Sequence, residues 1–359
     1  MMRRPVARGM TLVELMVGLA IGLFLVAVMS TMYLGSRNTF VAQESGSRLQ
    51  ENGRFAMDTM ANDLRMSGFR GCMPVVTTGN SAAPLAIGQV DNTLVTPTAL
   101  LYNFGEPIWG SRNGGAGWAP ALTAPVNSLG VATAGDILLV RRPAGVAWAL
   151  VAEMPTRGAP LSITPTANFT QGDLVMVADC AGASMLQVTN AGAGAAGSIQ
   201  HVSGAAGVVP GVATGNLVRM YSNDARVWRM QTRIYYLASS ARRTGETALW
   251  LYVSPTYDGE AQASELVTGV ERLAVTYGVD NDGLDGAGNL SANRFFHAGQ
   301  VTDWAQVVSA RIEMVLVGAG DSPSTTAQPY VFAGETITPA DKKLRTVVST
   351  LVSLRNTVP

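Results

Sequence analysis

Residues 10–34 are apolar at almost every position; the ionisable side chains among them are Glu14 and the Tyr33 phenol. A run without a polar face reads as a helix of about 37 Å, longer than the roughly 30 Å hydrocarbon core of a bilayer. Beyond Leu34 the pattern becomes one-sided. Leu49, Ala56, Met60 and Leu64 recur at helical spacings on one face, while Arg37, Gln43, Glu44, Arg48, Glu51, Arg54, Asp58 and Asp63 fill the others. Gly46 and Gly53 weaken this stretch without breaking it, and Gly68 and Gly71 offer a stop. The pattern predicts one helix from about Thr11 to Ser67, half in a membrane and half packed on a globular domain.

After Gly71, short apolar runs alternate with clusters of Gly, Pro, Asn and Thr, as strands joined by turns do. Gly135-Asp136 and Gly172-Asp173 each open an apolar run, and Gly215-Asn216 opens a weaker third copy; all three are expected to enter strands through a turn. Residues 235–237 and 249–252 flank Arg242-Arg243-Thr244-Gly245-Glu246, which predicts a hairpin. Val308, Ala310, Ile312, Met314 and Leu316 alternate with Ser309, Arg311, Glu313 and Val315, the signature of a half-buried strand. Residues 346–354 read as another. The expected fold class is α+β: a long protruding N-terminal helix with a large, mostly antiparallel β-rich domain.

Composition narrows the chemistry. The 359 residues are 47% hydrophobic and 14% charged, with 25 basic and 25 acidic side chains. Apolar content this high excludes general disorder. A net charge of zero argues against nucleic-acid binding through overall basic charge. His201 and His297 are the only histidines, Cys72 and Cys180 the only cysteines, and their spacings fit no zinc motif. Both histidines read as surface residues, and no catalytic motif accompanies them. The segment Gly192-Ala-Gly-Ala-Ala-Gly197 matches G-x-G-x-x-G but lacks the βαβ context, so it reads as a flexible loop within the Gly/Ala-rich 191–211 stretch. Asp280, Asp282 and Asp285 among glycines form a candidate calcium loop. Leu284 at an alternating position and the lack of a closing Glu favour a solvated hairpin loop instead. The loop 103–120 mixes Trp109 and Trp118 with Arg112, a candidate ligand contact set against a simpler packed loop.

The N-terminus carries the most specific pattern. Arg3, Arg4 and Arg8 precede the apolar run with no acid among the first nine residues, which places the leader in the cytoplasm and the bulk of the chain outside. A cleaved secretory signal would have a shorter apolar run and a small-residue site after it; none occurs before Ser36. A plain anchor would not carry Glu14, because a carboxylate in a membrane helix costs a few kcal/mol. Gly9-Met10-Thr11-Leu12-Val13-Glu14-Leu15 resembles the type IV prepilin signal, with Met10 where that family usually has Phe. The resemblance implies cleavage between Gly9 and Met10 by prepilin peptidase, methylation of the new Met10 amine, and a role for Glu14 in aligning subunits. A Met10 amine lies four residues from Glu14, on the same helix face. In the pilin family that carboxylate pairs with the amine of a neighbouring subunit, a contact that an apolar filament core favours over either charge alone.

The stretch 52–72, NGRFAMDTMANDLRMSGFRGC, is similar to the segment after the membrane helix in PilW-type minor pilins, and residues 172–189, 302–311 and 344–356 also resemble that family. The expected division is a leader at 1–9, a membrane and filament-core half-helix at 10–34, an amphipathic half at 35–68, and a periplasmic β-rich domain at 69–359 in one piece or two subdomains. The resemblance implies a pilin-like fold and a minor pilin of the type IV pilus, held by one span in the inner membrane before assembly and at the pilus tip afterwards. Its implied partners are prepilin peptidase, other minor pilins, the major pilin, the inner-membrane assembly platform and membrane lipid. It implies no enzyme activity, no cofactor apart from the candidate calcium and no direct nucleic-acid contact. Because the domain would be exported to an oxidising compartment, Cys72 and Cys180 are expected to form a disulfide, the alternative being two buried thiols. Residues 265–277 are also similar to the J-type minor pseudopilin of type II secretion, which stays as an alternative together with a tip-located adhesin or DNA-binding module and an anchored enzyme.

Overall fold

The apolar run and the one-sided stretch after it form a single α-helix, Leu12–Met66, in the computed structural model, which describes residues 9–73, 90–165, 167–280, 291–318 and 326–356. Thr11 is the N-cap: its hydroxyl accepts from the Glu14 N–H, and the Glu14 carboxylate accepts from the Thr11 N–H at 2.9 Å. This reciprocal box satisfies two of the amides that every helix start leaves open. The helix stops at Ser67 because Gly68 adopts a left-handed φ of 65° and its N–H turns away to the carbonyl of Arg141. Fifty-five residues give it a length of about 82 Å.

Its two halves meet different surroundings. Apolar side chains from Leu12 to Phe40 lie exposed, whereas Leu49, Gly53, Ala56, Met57, Met60, Ala61 and Leu64 are buried against the β-domain. The buried face is the one read from the sequence, with Gly53 filling its gap. A Cβ at Gly53 would lie 3.1 Å from Val348 and 3.3 Å from Leu316, so the missing side chain sets how closely the helix approaches the sheet.

That sheet has the order Arg294–His297, Val270–Val279, Val307–Val317, Arg345–Ser353, all antiparallel. Val308, Ala310, Ile312, Met314 and Leu316 are buried as the alternation predicts. Val315, on the other face, is buried too, because the hairpin of Tyr330–Phe332 and Glu335–Ile337 covers that end with Phe332.

A nine-stranded sheet is built around the 14-residue strand Arg226–Ser239. One edge of this strand pairs with Ile137–Ala149. Its other edge is shared: residues 226–229 pair with Leu174–Ala178 and residues 232–239 with Thr247–Ser254. The second partner is the predicted hairpin, with Leu249 opposite Leu237. All pairs in this sheet are antiparallel except Val90–Asn92 with Ala183–Gln187. The fold is thus α+β and pilin-like: a long apolar N-terminal helix on a large, mostly antiparallel β-domain.

Three expectations need correction. Gly135-Asp136 and Gly172-Asp173 do lead into strands, but Gly215–Met220 stays irregular. There the Leu217 N–H bonds the Arg157 carbonyl and its side chain plugs a separate apolar cluster under Trp148, so the run works as a cover. The Gly192–Gly197 segment is no flexible loop. It makes one helical turn, Ala193–Ala196, between two left-handed glycines, packed so closely that a Cβ on Gly194 would meet the Ala167 carbonyl. His201 is buried at 2% exposure, its Nε2 at 3.1 Å from the Ala159 carbonyl, because the Gly-rich stretch around it folds inward. Burial pulls its pKa down.

Candidate assembly site

The helix holds the candidate function, so what fixes it to the domain decides what it can do. Asp63 sits on the last turn but one and is 2% exposed, although the sequence pattern placed it on a polar face. Its carboxylate accepts from Arg142 at 2.7 Å, Arg233 at 3.2 Å and the Tyr235 phenol at 2.6 Å. Arg142 lies on the strand Ile137–Ala149, and Arg233 and Tyr235 lie on Arg226–Ser239. The helix is therefore held by apolar packing on the four-stranded sheet and by a buried ionic node on the nine-stranded one. Arg233 also bonds Glu260 at 3.1 Å, so it is anchored from two sides. Burial and then the Asp63 charge push the Tyr235 phenol well above its usual range, leaving it protonated as a donor.

Two further ties close the helix exit. Cys72 and Cys180 form a disulfide, and Cys180 lies in the turn between Leu174–Ala178 and Ala183–Gln187. Beside it Phe69 stacks edge-on against Trp228, with ring centres 5.3 Å apart. At the other end of the chain, the Asn356 amide donates to the carbonyls of Arg65 and Ser67 at 3.0 and 2.9 Å. Those are carbonyls that a helix end leaves without partners, so the C-terminal segment caps the helix.

Gly9, Met10, Thr11 and Glu14 stand at the free end, far from the domain and exposed. The Glu14 carboxylate is engaged only with Thr11 of its own chain among the described residues, an exposed contact. The helix is long and apolar enough to cross a membrane, and its apolar stretch is unburied.

Other candidate sites dissolve into packing. Trp109 is buried at 8% exposure, 6.3 Å from Trp304, in the strand Ile108–Asn113, and Trp118 packs on the same core. The loop expected to offer them to a ligand is mostly strand and core. Arg112 turns towards His297 and Asp136 instead. Of the candidate calcium loop, Asp280 is buried and its N–H donates to the Gln306 carbonyl, while Asp282 and Asp285 lie outside the described residues. Among the described residues no cluster of His, Cys, Asp or Glu is arranged to hold a metal.

Asp136 joins the two sheets: its carboxylate accepts from the Val275 N–H at 2.8 Å and its own N–H donates to the Leu273 carbonyl. Burial raises its pKa to about 6, against the opposing pull of the Val275 amide and of Arg112. A raised carboxylate stabilises the fold fully below its unfolded pKa near 4, and that contribution is lost as pH rises through 6, about 3 kcal/mol in all. Asp136→Asn keeps the acceptor for Val275 without the charge. Urea unfolding should show the variant more stable than the parent at pH 7.5, with the difference closing at pH 4; parallel pH profiles would refute the shift.

The family model described as Type IV Pilus-assembly protein W matches residues 234–356, and the Prokaryotic N-terminal methylation motif matches residues 4–30. The first match begins within Arg226–Ser239, spans the hairpin and the whole helix-bearing sheet, and ends on Asn356, the residue that caps the helix. The stretches 52–72 and 172–189, which also resemble that family, fall outside both matches. No curated protein and no solved structure matches the chain.

Proposed function

The chain is a PilW-type type IV pilin, and from that premise we propose that it is a minor pilin cut by prepilin peptidase after Gly9, methylated at Met10, and built into a priming complex at the pilus tip. The observation that carries this reading is the division of one continuous helix. Its apolar half is bare along its whole length, while its second half is locked to the domain by Asp63, Gly53 and the exit disulfide. A bare apolar half-helix needs lipid or the helices of neighbouring subunits around it. Moving from the inner membrane into a filament exchanges one apolar surrounding for the other.

Glu14 guides that exchange in this reading. Cleavage after Gly9 creates a cationic amine at Met10 and removes three arginines. The Glu14 carboxylate then leaves Thr11 for the amine of an adjacent subunit, a charge-assisted bond in an apolar setting. The domain presents surfaces to other minor pilins, the major pilin and the assembly platform. The secretion pseudopilin remains the second reading, and the match over residues 234–356 favours the pilus.

Intact mass and N-terminal sequencing of the protein from cells with and without prepilin peptidase test the processing. A mature chain starting at methylated Met10 only with the peptidase is expected. A chain that keeps Met1, or one cut beyond Leu34, would overturn the reading. Loss of pili on deleting the gene, with type II secretion intact, separates the pilus from the pseudopilus.

A further inference from the structure

A hollow of about 460 Å³ opens on the nine-stranded sheet, on the face turned away from the helix. Neighbouring residues of a strand point to opposite faces. Arg142 points to the helix, where it holds Asp63, so Arg141 points the other way, beside Thr232 of the paired strand. Arg141 and Trp109 come to the hollow from two paired strands of the sheet. Residues between 98 and 106 form one wall and residues 120–124 another. The volume falls within the roughly 300–1,000 Å³ of small-molecule sites.

Two opposite charges border this hollow without meeting. Arg141 is 2% exposed. Its Nη1 donates to the Glu106 carbonyl and its Nη2 to the Leu100 carbonyl, both at 2.6 Å, and its Nε has no partner among the described residues. Carbonyls hold a guanidinium in place without neutralising it. No carboxylate lies within 4.0 Å of Arg141 among the described residues. Burial pulls its pKa down to about 10, and the charge of Glu106 opposes that pull. Glu106 also borders the hollow and is half-buried, yet Arg141 takes its main-chain oxygen and leaves the carboxylate unpaired. A buried cation without a counter-ion is costly, and a carboxylate brought by a ligand would offset that cost.

The remaining surface is mainly apolar, with Leu100, Pro120, Ala121 and Ala124 facing the same space as Trp109. Of Trp109, Arg112 and Trp118, the set expected from the sequence to meet a ligand, Trp109 alone borders the hollow; the cation is Arg141, from the adjacent strand.

We propose that this hollow binds a small zwitterion with an apolar body, of the α-amino acid class, with its carboxylate on Arg141 and its ammonium on Glu106. The apolar side chain of the ligand lies against Trp109 and Pro120. A simple carboxylic acid would satisfy Arg141 but be repelled by Glu106, and a simple amine would do the reverse, so the pair of charges selects a ligand that carries both. The inference is independent of the pilus reading, because the site lies on the domain alone.

The test is isothermal titration calorimetry of the full chain in detergent. The probes are L-leucine and L-phenylalanine, their amides, which lack the carboxylate, and their deamino analogues, which lack the amine. At least one of the two amino acids is expected to bind at millimolar concentration or below. Its amide and its deamino analogue should each bind at least about tenfold more weakly, the effect of one charge-assisted hydrogen bond. Glu106→Gln should weaken the amino acid by a similar factor and leave the deamino analogue unweakened. Ala121→Trp, on an exposed wall of the hollow, should abolish binding of all of them. Arg141 also pins the wall 98–106, so these two variants carry the test rather than its removal. Binding of neither amino acid by the folded protein would overturn the proposal and leave Arg141 a loop anchor. A deamino analogue that binds as tightly as its parent would overturn the role of Glu106 and replace the zwitterion by a simple carboxylate. Binding that survives Ala121→Trp would place the ligand elsewhere and overturn the site.

Discussion

Replacing Asp63 by alanine should destabilise the fold by about 3–5 kcal/mol, the usual cost of stripping one partner from a buried ionic group. The loss leaves the partly buried Arg142 guanidinium without its acid and the fully buried Tyr235 phenol without an acceptor. Arg233 keeps Glu260, so it suffers least. Asp63→Asn, which still accepts from Tyr235, should cost clearly less than Asp63→Ala. Urea unfolding of the full chain in detergent, followed by tryptophan fluorescence, measures both. Similar small losses in the two variants would mean that the helix is held by its apolar face alone.

Removal of the disulfide by Cys72→Ser with Cys180→Ser is the second large effect. The bond closes a loop with a sequence separation of 108, for which chain entropy assigns about 4–5 kcal/mol as an upper figure. Its position adds a local consequence. Phe69, Gly71 and Trp228 pack around the helix exit, so loss of the tie should loosen that corner before the rest. The expected result is a lower urea midpoint with faster hydrogen exchange concentrated at residues 67–73 and 178–183. Because Cys72 and Cys180 are both exposed, a mild reductant should reproduce the effect in the parent protein. An unchanged midpoint would show that the interlocked aromatic packing alone suffices.

Residues 234–356, the part matched to the pilus-assembly family, include every strand of the four-stranded sheet on which the helix packs. They also supply Arg233's neighbours Ile234 and Tyr235, the hairpin and the Asn356 cap. The unmatched middle of the chain provides Arg142, Cys180 and the long central part of the nine-stranded sheet. The helix is thus clamped by both regions, which explains why neither match alone accounts for the domain.

Legibility followed the range of the forces involved. The helix bounds and most of its buried face were readable because hydrophobic periodicity and stop signals act within a few residues. The alternation of Val308 to Leu316 and the hairpin at residues 242–246 were readable for the same reason. The fate of Asp63 was not. At 100° per residue it lies about 140° from the exposed Asp58, beside Ala56 and Met60 on the buried face; its charge set it among the polar positions, and only strands some 80 and 170 residues away supply its partners. Trp109 and His201 misled in the same manner, since local glycines suggested loops that long-range packing folded inward.

What the sequence determined by itself is the long apolar helix with Glu14 near its start and the β-rich character of the rest, consequences of local hydropathy and turn chemistry. What only the tertiary structure decided is where the helix is gripped and which polar groups are buried in the grip. Those depend on which distant strands become neighbours, and burial of a charge is set by all its neighbours at once.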